Sequence, residues 1–242
     1  MKCAYLLIDL FTLLVPLLFS FHPKLYFYRT WKAFFPAIFL TGIIFVLWDM
    51  YFTRLGVWGF NYTFVTGFNM INLPFEEVLF FFCIPYSCVF TFYCLNIFFK
   101  DLSNPLFVQI VTNILIAALI VIGLVFVRRK YTASSFFLLA GLLVFANYFL
   151  KVSWLGKFYI IYAILLIPFL IVNGILTGTG LSAPIVWYNK AEIIGVRILT
   201  IPLEDVFYGM DLIFLNTLIY KYLSRDRLSN VLLGQKSAKE GK

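Results

Sequence analysis

Seven apolar stretches, near residues 3–21, 33–51, 74–98, 105–127, 134–150, 158–176 and 202–223, divide this chain. Each is close to the roughly 20 residues that a membrane-crossing helix needs. A lipid-embedded segment must satisfy its backbone N–H and C=O groups internally, which leaves the helix as the natural form for such runs. The pattern therefore predicts an all-α integral membrane protein with seven transmembrane helices. Composition agrees, at 63% hydrophobic, 21% aromatic and 12% charged residues, with a mean hydropathy of +0.96. The formal net charge of +8 comes from Lys and Arg scattered between the apolar runs, which suits anionic headgroups rather than a phosphate-tracking face, so no nucleic-acid partner is expected.

Two connections, residues 52–73 and 177–201, are long. Each leads into an apolar run that opens with adjacent carboxylates. "GFNMINLPFEEV" (67–78) aligns without a gap on "GVRILTIPLEDV" (195–206), pairing Gly67 with Gly195, Pro74 with Pro202, Glu76 with Glu204 and Glu77 with Asp205. A Val-Trp and an Asn precede each copy, Trp58 and Asn61 in one, Trp187 and Asn189 in the other. The repeat interval is four helices, so the third and seventh run in the same direction and both acidic pairs lie at one membrane face. The chain reads as two parallel three-helix repeats (helices 1–3 and 5–7) joined by helix 4, and parallel repeats place related groups around one axis. The corresponding division is a first repeat over 1–100, the linking helix over 101–130, a second repeat over 131–223 and a polar tail over 224–242.

Proline before the acidic pair suits a helix start, and carboxylates in the first turn face the positive end of the helix dipole. That alone would account for one copy. Recurrence of the pair, followed at once by "LFFF" or "FY", instead points to ionisable groups facing a bundle interior, where they mark a functional path. Carboxylates in an apolar site can give and take protons, so Glu76, Glu77, Glu204 and Asp205 are the candidate catalytic residues. Asp49, Asn173 and Arg197 belong to the same face. Trp58, Trp187 and neighbouring rings such as Phe80, Tyr188 and Tyr208 could steady a carbocation through their π faces. Asp211 lies seven residues beyond Glu204 and two turns deeper, and Asp9 is a further acid in the first helix.

Other chemistries find no support. The four cysteines have no CxxC spacing and the single His22 has no partner at ligand spacing, so no metal site is expected. "GTGLSA" (178–183) fits GxGxxA but follows a membrane helix instead of a strand. No P-loop, HExxH or aspartate box for a magnesium diphosphate occurs, and no cofactor is expected. A proton-coupled transporter would use similar carboxylates, but it should carry polar lining across the whole membrane, whereas here polar groups gather at one face.

"P-x-E-E" at 74–77 and the string Y-N-x-x-x-x-x-G-x-R-x-x-x-I-P-x-E-D from Tyr188 to Asp205 resemble the two signature regions of the membrane-integral, non-flavin lycopene β-cyclases of bacteria, archaea and fungi. In that family a three-helix domain occurs twice, as two subunits or fused in one chain, and this sequence looks like the fused form. The first copy departs from the second in carrying Asn69 where the second has Arg197. The resemblance implies proton-initiated, non-redox cyclisation of the ψ end groups of lycopene to β-ionone rings, through γ-carotene to β-carotene. A related cyclase acting on a C50 chain or making ε or γ end groups is the alternative within the same chemistry. Implied partners are lycopene and other acyclic or monocyclic carotenoids, membrane lipid and neighbouring carotenoid enzymes. Twelve of the 19 Lys and Arg fall on the side of the C-terminal segment, which predicts a plasma-membrane protein with a cytoplasmic C-terminus.

Overall fold

A computed structural model describes residues 2–99 and 104–240. It contains seven α-helices: α1 (Ala4–Phe19), α2 (Trp31–Arg54), α3 (Phe75–Phe98), α4 (Pro105–Val125), α5 (Lys130–Val144), α6 (Leu155–Leu176) and α7 (Leu203–Glu240). They coincide with the seven apolar stretches. Five, α2 to α6, are long and apolar enough to cross a membrane, α2 and α5 together with the short turns that flank them, and the outer surface exposes large aliphatic and aromatic side chains such as Leu14, Ile43, Leu47, Ile114 and Leu124. A soluble chain does not expose so much contiguous apolar area. This is a multi-pass membrane protein. The helix that begins at Leu203 continues to Glu240, through most of the segment read from sequence as a polar tail.

Helix starts follow local chemistry. Asn104 caps α4 by accepting the Leu106 N–H at 2.9 Å, with Pro105 in the first position, where its missing N–H is not needed. Pro74 stands one residue before α3, at φ −56°, and ends a strand. The first repeated loop contains β1 (Trp58–Phe60), β2 (Asn69–Met70) and β3 (Leu73–Pro74). The second contains β4 (Val186–Tyr188), β5 (Arg197–Ile198) and β6 (Ile201–Pro202). Strands β2 and β3 form a hairpin, as do β5 and β6, with Asn69 opposite Pro74 and Arg197 opposite Pro202.

The repeat read from sequence reappears bond for bond in these loops. Phe75 N–H reaches Phe68 O and, 128 residues later, Leu203 N–H reaches Val196 O. Gly67 and Gly195 share φ +91°, and the hairpin tips Ile71 and Leu199 sit at φ +61° and +56°. A left-handed bulky residue is uncommon, so its occurrence at both tips marks one motif used twice. The two loops then join: β1 pairs antiparallel with β4, Gly59 opposite Trp187. Asn61 N–H donates to Ile185 O and Asn189 N–H to Val57 O, both at 2.8 Å. These two bonds exchange under the same 128-residue shift, as expected of a two-fold axis passing through the strand pair.

Packing is less even. Helix α1 lies along α3, α5 along α7 and α4, and α2 along both α7 and α3. Helix α6, which occupies in the second half the place of α2 in the first, touches α3, α4 and α7 only sparingly. Around the strand pair a core of Tyr5, Phe45, Trp58, Phe81 and Tyr131 closes one end of the bundle.

At Gly59 a Cβ would lie 2.4 Å from the Trp187 ring. Gly59→Ala should therefore lower stability by about 1–3 kcal/mol, measured as thermal unfolding in detergent. Adding Trp187→Ala should restore most of the loss.

Candidate active site

Both acidic pairs occupy the first turn of a helix, directly after a hairpin. Their members point in different directions. Glu76 Oε1 accepts the Thr66 N–H at 2.6 Å. Glu204 Oε1 accepts the Ile194 N–H and, at 2.7 Å, the Thr132 hydroxyl. Each of these glutamates thus grips the backbone ten residues upstream, and each is fully buried. They hold the repeated loops against the helix starts.

Glu77 and Asp205 turn the other way and line a cavity of about 430 Å³. That volume falls within the range of small-molecule sites. Tyr5 donates to Glu77 Oε2 at 2.6 Å, and Tyr131 donates to Asp205 Oδ1 at 2.6 Å. Asp205 Oδ2 also accepts from Tyr188 at 2.9 Å and from Asn173 Nδ2 at 2.8 Å. Asp49 lines the same cavity and accepts from Trp58 Nε1. Burial, reinforced by the neighbouring Asp205, pushes the Tyr188 hydroxyl well above the ordinary phenol range, so it stays a donor.

Rings enclose the acids. Tyr131 and Tyr188 stack at 5.8 Å with 13° between planes, Trp58 meets Tyr131 edge-on at 5.0 Å, and Phe52 stacks behind Trp58 at 5.1 Å. Phe80 and Tyr208 complete the lining. Such an enclosure excludes water and offers π faces to a positive charge.

Of the residues singled out from sequence, Glu77, Asp205, Asp49, Asn173, Trp58, Tyr188, Phe80 and Tyr208 meet at this cavity. Others from that set lie outside it. Asn61 and Asn189 accept the backbone N–H two residues on, from Thr63 and Ala191, and so shape the loops. Trp187 is half-exposed and covers Gly59, and Arg197 donates to Thr200 O within its own hairpin. Asp9 and Asp211 are buried, with no hydrogen-bond partner for either carboxylate among the described residues. Tyr5 and Tyr131 were not anticipated. Their signal was a tyrosine near the start of the first helix in each repeat.

A family model for lycopene cyclases matches residues 2–95 and 128–223. The chain belongs to the lycopene cyclase family. The matched segments cover more than three-quarters of the sequence and omit α4. Membership identifies a carotenoid cyclase, an enzyme whose substrate is a carotenoid. No curated protein and no solved structure matches the chain. In this cyclase the two matched segments are the ones that carry the acidic pairs, and the cavity lies between them.

Glu76→Ala or Glu204→Ala removes a charge-assisted, partly buried hydrogen bond to the loop and should lower stability by about 1–3 kcal/mol. Hydrogen exchange at Thr66 or Ile194 should quicken accordingly. A separate latch is pH-sensitive. Glu192 accepts the Lys130 N–H at 2.9 Å and its ammonium at 2.5 Å. Partial burial opposes ionisation of Glu192, but these Lys130 contacts outweigh it and hold the carboxyl below the usual range. A depressed folded-state pKa gives stability that is present above the unfolded value and lost as pH falls through the folded one. Exchange at residues 189–194 should therefore rise on acidification below the usual glutamate range, and Glu192→Gln should abolish that pH dependence.

Proposed function

We propose that the chain is a lycopene β-cyclase that closes the ψ end groups of lycopene to β-ionone rings, giving γ-carotene and then β-carotene. Supporting this reading is the meeting of Glu77 and Asp205, one from each repeat, in a single ring-lined cavity. A cyclisation of this kind is an isomerisation: one proton is added to the end group, one is removed, and no electrons leave the substrate.

Each carboxylate has a role suited to its surroundings. Asp205 accepts three hydrogen bonds, which matches an ionised, acceptor-only group and assigns it the base. Glu77, with one phenol donor on one oxygen, is the acid. Protonated Glu77 adds H⁺ to C2 of the terminal alkene, and the cation forms at C1. The C5=C6 double bond attacks C1, closing the ring and moving the charge to C5. Asp205 then removes the C6 proton, leaving the C5=C6 bond of the β-ring. Trp58, Tyr131, Tyr188 and Phe80 shield the cation, because capture by water would give a hydroxylated product. Asp49, held by Trp58, fixes the indole. The first acid of each pair keeps the loop in place while the second works on substrate.

The 12 to 7 division of basic residues between the two faces supports a plasma-membrane location with the C-terminal segment on the cytoplasmic side.

Expression in lycopene-accumulating bacteria should convert the pigment to β-carotene, read by chromatography. In deuterium oxide each ring should gain one deuterium, at C2. Glu77→Gln and Asp205→Asn should each reduce conversion by at least about 100-fold, the usual scale for general acid–base catalysis. Unchanged lycopene with wild-type protein confirmed in the membrane would sink the assignment.

A further inference from the structure

The cavity does not end at the carboxylates. Along α3 its wall runs from Glu77 through Ile84 and Ser87 to Thr91, a rise of roughly 21 Å at about 1.5 Å per residue. Polar side chains on this path are satisfied by backbone carbonyls. The Thr12 hydroxyl donates to Ile8 O at 2.8 Å, Ser87 to Thr12 O and Cys83 O at 2.9 Å, and Thr91 to Ser87 O at 2.8 Å. With the hydroxyls engaged by backbone, the passage offers mainly hydrocarbon surface.

One side of the passage is open. Phe11 on α1 and Ile171 on α6 line the cavity, yet they are 68% and 62% exposed on the outer surface of the bundle. A residue can do both only where the wall is interrupted, and α1 and α6 share no continuous contact. At the related position in the other half, between α5 and α2, the cavity-lining residues Asp49 and Tyr131 are both buried. There α2 packs on α7, with buried Phe45 edge-on to Tyr208 at 5.2 Å and Trp48 against the same ring at 5.7 Å. The loops obey the two-fold repeat and the helices break it, so the described residues form one such slot.

We propose that the slot between α1 and α6 takes the polyene of the carotenoid, which lies along α3 from Glu77 towards Thr91 and passes sideways into the bilayer, so that only one ψ end is bound at a time. This rests on the cyclase reading above. Lycopene has identical ends at opposite tips of one long polyene, and a single apolar passage with one set of acids holds one tip while the other stays in lipid. The monocyclic product must leave and return reversed before its second ring forms.

Purified full-length enzyme in lipid vesicles tests this with two substrates: lycopene, and a truncated ψ-ended terpenoid of only the first few isoprene units. Thr91→Trp fills the far end of the passage. Its ratio of kcat/KM for lycopene to kcat/KM for the short substrate should fall at least ten-fold relative to wild type. Ile171→Trp, at a largely exposed rim position, should shift the ratio in the same direction. An unchanged ratio in both variants overturns the slot. In a chase experiment, isotopically labelled lycopene followed by excess unlabelled lycopene should leave labelled monocyclic carotenoid in the membrane. Labelled bicyclic product formed despite the chase would overturn one-end-at-a-time binding. A wild-type enzyme that closes rings on neither substrate would instead overturn the cyclase reading itself.

Discussion

A carboxylate taken out of water needs donors, and the way this chain supplies them organises everything around the site. Successive side chains on an α-helix point about 100° apart. When Glu76 or Glu204 reaches back to a loop amide, the next residue is thereby aimed at the bundle interior. The adjacency of the two acids is thus a steering device. One member fixes the loop and the helix start together, and that fixation sets the direction of the other. Tyr5 and Tyr131 then complete the inward carboxylates from helices α1 and α5.

The strand pair β1–β4 extends this order across the molecule. Because the loops of the two halves hydrogen-bond to each other through equivalent atoms, the inward acids are brought to the same cavity without a direct covalent constraint between the halves. Helix α4, outside both family-matched segments, packs chiefly on α5 and contributes no residue to the cavity. The inward acids are held by the loops and by α1, α3, α5 and α7, with Asn173 of α6 adding a donor to Asp205 and Asp49 of α2 accepting from Trp58. It is in the packing of α2 and α6 that the halves diverge.

Much of this was legible in the sequence. Apolar run length located all seven helices, because a backbone that meets lipid has few alternatives. The ungapped match of 67–78 to 195–206 carried through to duplicated hydrogen bonds, since a repeat that preserves Pro, Gly and acidic positions preserves the turns they build. The unequal roles within each acidic pair were not legible, because both members sit in the same helical turn and only side-chain direction separates them. Tyr5 and Tyr131 were hidden among 15 tyrosines in an aromatic-rich chain. The hairpins lacked a turn signature, with Ile71 and Leu199 at the left-handed positions where Gly or Asn is usual. Asn61 and Asn189 did recur for a shared reason, but that reason is loop shape, not substrate.

The grip of Glu76 and Glu204 on the loop backbone also bears on how the two halves differ. The first acidic position is Glu in both copies, and the second is Glu in one and Asp in the other. The anchoring acid must reach an amide ten residues away along the chain, and a side chain one methylene shorter reaches less far. An inward acid has no fixed backbone target. It meets side chains, Tyr5 in one half and Tyr131, Tyr188 and Asn173 in the other, which can accommodate a carboxylate set one bond closer to the helix. The anchoring position is therefore the same in both copies and the inward one differs, and the resulting difference in reach gives a two-fold scaffold one long arm and one short arm at a single cavity.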